Sequence, residues 1–495
     1  MGEPVIAGAS QVSNRIASLN GSRSPLELMT EVSLGAIEDA GCDLRGCIDA
    51  VVVLPVPWWS PDDPAELLSK EIGINAVTHL LSCNGGEVGV SVTNWAAQRI
   101  MAGDLRSVLI VGANAMRTLE LSNRTGDVPG WVTQGSGSSI PVLGSERDGH
   151  SPEEALVGLD RPVHAYPILE SAFRHKLGRS ISDHQEYLGR FFAQFTEVAA
   201  KNPHAWFPQA HSAEELSTPT ASNRMIGFPY PKLMNAVIAT DQAAAVLLSD
   251  KSVLEDRGTD DDLSVNWWGG AADVERAWCV STRPEIATSP AMRSAHLRSM
   301  EMAGVTVDDI AHFDFYSCFP IAVEVACDVL GIDPFDPRGL TVTGGLPYAG
   351  GPASAYTLHS LTTMAHLLRE DRGRLGMVTG NGMYLSKHSS LFLSTERRPS
   401  GLPNEPAPSD IDAAEGRRYA PRAESATIAS YTVVHDRSGE PEFSIGILEY
   451  GNGDRTAARF DGSTGELDEL EVHDPIGVQA SVTLNSSGVP VFRPS

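Results

Sequence analysis

The sequence predicts a layered α/β fold built twice over, followed by a small all-β domain. Three observations predict it. First, a helix with small and apolar residues along one side runs from Gly89 to Met101. It stops at Ala102-Gly103-Asp104 and gives way to a buried-type strand, Ser107-Val108-Leu109-Ile110-Val111-Gly112. Second, that junction recurs. Asp104 to Met116 ends in Val111-Gly112-Ala113-Asn114-Ala115-Met116, and Asp371 to Met383 repeats it without a gap, ending in Val378-Thr379-Gly380-Asn381-Gly382-Met383. A second pair agrees: Ala36 to Gly41 leads through Cys47-Ile48 into Ala50 to Val53, and Ser299 to Gly304 leads through Asp309-Ile310 into Phe313 to Tyr316. A repeat of this long period is a domain duplication, and helices alternating with buried strands imply layers. Third, the last part of the chain is a series of short strand-like runs separated by turns.

Taken in order, residues 1–250 form the first half of the duplication. An insertion of about 117–225 interrupts it, with a glycine- and serine-rich loop (Gly135 to Ser139) and a helical segment over Ser182 to Ala200. The half resumes with the strand Thr240 to Leu248. Residues 251–399 form the second half. Residues 400–422 are rich in Pro, Gly, Asp and Glu and read as a linker. In 423–495, strands are predicted over Ala426 to Val434, Phe443 to Tyr450, Thr456 to Phe460 and Val478 to Leu484. Strands at this spacing suggest a small barrel of the oligonucleotide/oligosaccharide-binding type.

Composition narrows the function classes. The 495 residues carry a formal net charge of −26, which argues against nucleic acid or an anionic membrane as partner. The acidic run Glu466 to Asp474 extends that argument to the C-terminal barrel. No apolar run approaches a membrane span. The start lacks the basic and apolar regions of a signal peptide, and Ile6 stands where myristoylation of Gly2 would need Ser or Thr. The six cysteines form no CxxC pair and read as reduced thiols of a cytoplasmic protein. No constellation of His, Cys, Asp and Glu has metal-ligand spacing, so no metal is expected. Gly85-Gly86-Glu87-Val88-Gly89 is no phosphate loop, since no Lys-Ser/Thr follows.

The glycine elbow at Gly85-Gly86, the helix behind it and the strand after it resemble the nucleophile loop of the thiolase superfamily. The resemblance covers about residues 4 to 398. It implies the five-layered α-β-α-β-α fold and an acyl-coenzyme A ligand, with the insertion as the loop domain over the coenzyme A site. Thr240-Asp241-Gln242-Ala243-Ala244-Ala245 is similar to the family's Asn-Asp-Gly-Ala-Ala-Ala strand. With Asn223 to Lys232, Tyr316-Ser317-Cys318-Phe319-Pro320 and the fused barrel, the whole looks like the actinobacterial thiolase-like proteins. Those carry the acetyl-CoA acetyltransferase label and lack its catalytic cysteines, and a fold alone does not establish a reaction.

A thiolase needs a nucleophilic cysteine, an activating histidine, a second cysteine as acid/base, and an Asn or His that positions an oxyanion-hole water. Counting back from Ala102-Gly103-Asp104 puts Gly86 at the nucleophile's position. A slipped alignment would give the role to Cys83 instead of leaving it a buried structural thiol. Gly350-Gly351-Pro352 matches the family's Gly-His-Pro, with Gly351 in the histidine's place. Gly380-Asn381-Gly382 stands where the second cysteine belongs. Tyr316 takes the Asn/His place and Cys318 follows it. His388 lies soon after the Gly-Asn-Gly loop, and His359 one turn into the helix after the glycine loop. The candidate catalytic residues are therefore Tyr316, Tyr348, Cys318 and His388. The candidate ligand-binding positions are Gly85, Gly86, Gly350, Gly351, Gly380 and Asn381, where bare backbone lets amides approach a ligand.

What the resemblance implies is an acyl-CoA-handling protein of lipid or sterol metabolism without the Cys-His-Cys set. Its reaction would be a non-covalent aldol-type C–C cleavage or formation, since thiolase-like aldolases carry a Tyr at the fourth position and use a small barrel partner. The alternatives are a non-catalytic acyl-CoA or lipid-binding protein and an acyltransferase with Cys83 or Cys318 as a relocated nucleophile. No tightly bound cofactor is expected, and the coenzyme A thioester is substrate or ligand. A monomer or a homodimer is expected, a choice the sequence leaves open.

Overall fold

The sheets repeat each other strand for strand. In the computed structural model, which describes residues 2–76, 78–134, 140–259, 263–411 and 416–495, the strand Pro4–Ser13 pairs antiparallel with Asp241–Asp250. That strand pairs antiparallel with Ser107–Ala115, which runs parallel to Ile48–Val53. The second half follows the same plan. Val265–Val274 pairs antiparallel with Lys387–Ser394, that with Leu375–Gly382, and that runs parallel to His312–Asp314. The first half adds two edge strands, Thr78–Ser82 and Val142–Leu143. The two sheets join through Val5↔Asn266 and Ile6↔Val265.

Two helices, Val88–Ala102 and Tyr356–Glu370, lie between the sheets and form the middle layer. Their apolar faces, including Val92, Ala96, Ile100, Leu361, Ala365 and Leu368, bury with Val246 and Leu391 into one core. Burial on most sides accords with their side chains, which are mainly small, apolar or hydroxyl-bearing, with charged residues only near the C-terminal ends. They cross closely: a Cβ at Gly89 would come under 3.0 Å from the Thr357 side chain. The helices Pro25–Asp39 and Pro290–Ala303 cover the outer faces of the two sheets. The α-β-α-β-α order and the duplication are therefore both present.

The strand Ser107–Ala115 and its partner Asp241–Asp250 are separated by the long insertion, whereas Leu375–Gly382 and Lys387–Ser394 are joined by Met383 to Ser386 alone. The insertion contains the helices Pro162–Lys176 and Ile181–Lys201. The latter matches the helix expected over Ser182 to Ala200. The glycine- and serine-rich loop Gly135 to Ser139 lies outside the described residues.

At the C-terminus the strands Ser425–His435, Pro441–Glu449, Arg455–Phe460, Pro490–Pro494 and Gln479–Leu484 close into a five-stranded barrel. Ile428, Val433, Leu448, Phe460 and Phe492 fill it. The sequence reading missed the strand Pro490–Pro494, whose proline ends hid it. The acidic run is the helix Thr464–Val472, which turns Leu467 and Leu470 into the barrel and its carboxylates to solvent. The barrel is knitted to the body. Val434 pairs with Gly227, just past the insertion, and Phe443, Ile445 and Ile447 share a core with Val163 and Leu169 of the insertion. No helix among the described residues is long and apolar enough to cross a membrane.

Candidate functional site

The elbow lies where the two halves meet. Gly85 and Gly86 precede the middle-layer helix Val88–Ala102, and the turn after Gly350-Gly351 reaches them through Ser354. Ser354 Oγ donates to Asn84 Oδ1 (2.8 Å) and accepts from the Gly85 amide (3.4 Å). The hydroxyl and ring of Tyr316 and the carbonyl of Asn381 fill the space in front of Gly86, so that a Cβ there would come under 3.0 Å from each. The Tyr316 amide donates to Thr379 Oγ1 (2.9 Å), which ties its loop to the strand Leu375–Gly382. Behind it, Asp314 Oδ1 accepts from Thr341 Oγ1 (2.8 Å) and the Val342 amide (2.9 Å), fixing the end of its own strand. Four segments remote in sequence thus converge.

Tyr316 is 9% exposed, and its ring meets Tyr356 edge-on at 5.3 Å. Burial pushes its phenol well above the usual range, so the hydroxyl stays protonated. Cys318 is buried beside Asn381, whose Nδ2 lies 3.7 Å from Sγ and donates to Tyr166 Oη (2.9 Å). Burial pushes the Cys318 thiol up to about 12. Asn381 Oδ1 is buried without a hydrogen-bond partner among the described residues.

Glu87, beside the elbow glycines, is 5% exposed. Its Oε1 lies 3.5 Å from Lys387 Nζ, and Oε2 is buried with no hydrogen-bond partner among the described residues. Burial raises the carboxyl to about 7, against the opposing pull of Lys387. Lys387 Nζ also donates to Asn84 O and Ser145 O (both 3.1 Å) and lies 3.6 Å from Cys83 Sγ. Burial raises the Cys83 thiol too. A cavity of about 270 Å³ opens here, lined among others by Cys83, Glu87, Trp95, Ser145 and Lys387.

Among solved structures, the chain is similar to a monomeric SCP2-thiolase-like protein type 1 (STLP1) from Mycobacterium smegmatis. The TM-score is 0.83 and the identity 30%, over 100% of this chain and 99% of that one. The chain belongs to the thiolase superfamily. An Ltp2–ChsH2(DUF35) aldolase matches with a TM-score of 0.60 and 21% identity over 80% of this chain and 99% of that one. The acetyl-CoA acetyltransferase from Syntrophomonas wolfei matches at 0.55 and 15% over 80% and 100%. These two share the fold. The curated acetyl-CoA acetyltransferases of Saccharomyces cerevisiae and Saccharomyces pastorianus are 24% identical over 145 residues, 29% of this chain and 33% of theirs. The chain thus matches about a third of the length of these curated relatives. No family model matches it.

Against the thiolase plan, Gly85, Gly86, Tyr316, Cys318, Gly380 and Asn381 come together. Gly350 and Gly351 lie one turn away. A Cβ on Gly350 would meet the Gln242 side chain, and the Gly351 amide donates to Val237 O (2.8 Å). Tyr348 packs into the insertion beside Phe192, and its hydroxyl has no hydrogen-bond partner among the described residues. His359 sits on Gln11 (Nδ1 to Oε1, 2.8 Å). His388 is turned to the start of the helix Pro290–Ala303, where Nε2 meets Ser289 Oγ (3.0 Å), and burial lowers it to about 3. Neighbours on a strand point to opposite faces. Lys387 therefore takes the elbow side and His388 the other.

Sequence reasoning missed three site residues: Glu87, Lys387 and Tyr166. The one signal the sequence carries for Glu87 is a charge between the elbow glycines and a helix whose first turns hold no other charge. Tyr166 comes from the insertion, and its hydroxyl donates to Met383 O (2.8 Å). Elsewhere, Glu170, His184 and Glu324 present ligand atoms within 4.8 Å of one another among the described residues. His184 Nε2 lies on Glu170 Oε1 (2.9 Å), Tyr230 donates to Glu170, and Arg179 stands 3.5 Å from Glu324, whose two buried carboxylate oxygens have no hydrogen-bond partner among the described residues.

Proposed function

We propose that this thiolase-like protein handles an acyl-coenzyme A thioester and makes or breaks a C–C bond next to it by proton transfer, without a covalent acyl-enzyme. One observation carries the reading: the space a nucleophilic side chain would need at residue 86 is filled by the Tyr316 hydroxyl. A buried phenol that stays protonated is a hydrogen-bond donor, suited to a thioester oxygen that becomes an enolate. The two nearby thiols are held in their protonated form, which removes them as nucleophiles at neutral pH. In the aldol direction of cleavage, a β-hydroxyacyl-CoA yields a shorter acyl-CoA and an aldehyde or ketone. The aldolase among the structural neighbours supports this class, as does the Tyr at the fourth position.

The test is a panel of β-hydroxyacyl-CoA thioesters with products read by mass spectrometry. Turnover should fall on the order of 10²-fold or more in Tyr316→Phe, with acyl-CoA affinity within a few-fold. An unchanged rate would remove Tyr316 from the mechanism. The burial of Tyr316 favours a second reading, a non-catalytic acyl-CoA-binding protein. Binding with no turnover across the panel would select it. We further propose a monomer in the cytoplasm, as the M. smegmatis relative is described as monomeric. Light scattering at micromolar concentration checks the oligomeric state.

A further inference from the structure

The elbow seats a carboxylate with unusual care. A Cβ on Gly85 or on Gly382 would come under 3.0 Å from Glu87 Oε2, and one on Gly380 would lie 2.6 Å from Glu87 Cα. Three bare backbone positions, drawn from both halves of the duplication, therefore make room for one acidic residue. Its other oxygen faces Lys387, itself 4% exposed. Burying such a pair strips both ions of water, a loss their mutual attraction must offset, so a merely structural role is an expensive one. The ammonium is held by two carbonyls, one from Asn84 before the elbow and one from Ser145 in the insertion. The other carboxyl oxygen, Oε2, is buried and has no hydrogen-bond partner among the described residues.

The surroundings suit a reaction rather than a strut. Glu87 lines the cavity of about 270 Å³, whose other walls include the apolar Val92, Trp95 and Leu143. That is below the roughly 300–1,000 Å³ of pockets for drug-sized ligands and fits a small fragment of a substrate. The charged and titratable groups that act on Glu87 are Lys387 and Glu146, and Glu87 acts in turn on Cys83 and Tyr316. Tyr316, kept protonated, is no base, so the reaction proposed above lacks a proton acceptor.

We propose that Glu87 is that acceptor, with Lys387 as its positioning residue and the adjoining cavity as the room for the carbonyl fragment of a β-hydroxyacyl thioester. This rests on the aldol-type reading of the elbow. The Glu87 carboxylate takes the proton of the substrate's β-hydroxyl. The electron pair of that O–H bond becomes the second bond of the new C=O. The Cα–Cβ bond breaks and its pair passes to the thioester as an enolate, whose oxygen accepts a hydrogen bond from Tyr316. The carboxylic acid at Glu87 then returns its proton to Cα. β-Hydroxyacyl-CoA becomes acyl-CoA plus an aldehyde or ketone, and Glu87 ends as it began.

The experiment uses the full chain, the same thioester panel, and acyl-CoA products incubated in D₂O to follow deuterium uptake at Cα. Glu87→Gln should lower both cleavage and exchange on the order of 10²–10⁴-fold. Lys387→Met removes the charge that favours the carboxylate, so it should move the acidic limb of the kcat/KM profile to higher pH. A lysine serving only as packing would leave that limb in place. If Glu87→Gln does not fold by circular dichroism, the limb in Lys387→Met decides. A wild-type protein that cleaves while Glu87→Gln cleaves as fast, or a limb unmoved in Lys387→Met, overturns this inference and leaves the aldol-type reading standing. A wild-type protein with neither cleavage nor exchange overturns both.

Discussion

The Tyr316 hydroxyl stands where a side chain on residue 86 would begin. A Cβ built on Gly86 comes under 3.0 Å from Oη and Cζ of that ring and from the Asn381 carbonyl. The two residues come from opposite halves of the duplication, and each explains the other. A glycine at the elbow admits the tyrosine, and the tyrosine leaves no room for a nucleophile.

Gly86→Ala should therefore destabilise the protein by about 1–3 kcal/mol, the usual cost of forcing atoms into a packed site. Tyr316→Leu in the same chain should recover part of that loss, because the two sites are in contact and do not add. Urea melts of the two single variants and the double variant check this. Strict additivity would mean that the elbow yields elsewhere.

Thiolysis of acetoacetyl-CoA should be undetectable, and Gly86→Cys should not create it. Cys83 and Cys318 should label slowly with iodoacetamide in the native protein and fast after denaturation, because burial holds both as thiols. Turnover at an ordinary thiolase rate that Cys83→Ala abolishes would show that the nucleophile is at 83.

Glu87 gives a signed prediction about pH. Its carboxyl rises from an ordinary 4.5 to about 7 in the folded protein. The fold favours the protonated form, so this contribution is complete below about 4.5 and is lost as pH rises through 7. Gln at 87 is neutral throughout and loses nothing. The stability of Glu87→Gln relative to wild type should then increase between pH 4.5 and 8, by on the order of 3 kcal/mol. Melts at pH 5 and pH 8 measure it, and a constant difference would mean that Glu87 titrates normally.

Limited proteolysis should cut within 400–422, where the chain is linker-like, and leave two folded pieces that stay together. The sequence supports the cut. The cohesion comes from Val434 on Gly227, from Ser430 Oγ on Ile168 O (2.6 Å), and from Phe443 and Ile445 in the body's core. Size-exclusion chromatography of the nicked protein checks it, and separate elution would show that the shared core contributes little.

The sequence was sufficient wherever structure is local or periodic. The gapless recurrence of Asp104–Met116 as Asp371–Met383 determined the duplication. The helix–glycine–strand junctions pointed to layered α/β architecture, the resemblance to thiolases supplied the order of the layers, and the glycines at 85, 86, 350 and 351 marked the loops. Gly86 in place of a nucleophile was legible because an ungapped helix carries a register. Tertiary structure alone decided which side chains meet. Strand alternation turned Lys387 toward the elbow and His388 away, a one-residue difference that no spacing in the chain reveals. The insertion brought Tyr166 to Asn381, and the glycines of two distant segments closed around Glu87. A charge next to a helix start reads as solvated in one dimension. Only the packing of the second half against the first withdraws water from it, and that withdrawal is what changes its chemistry.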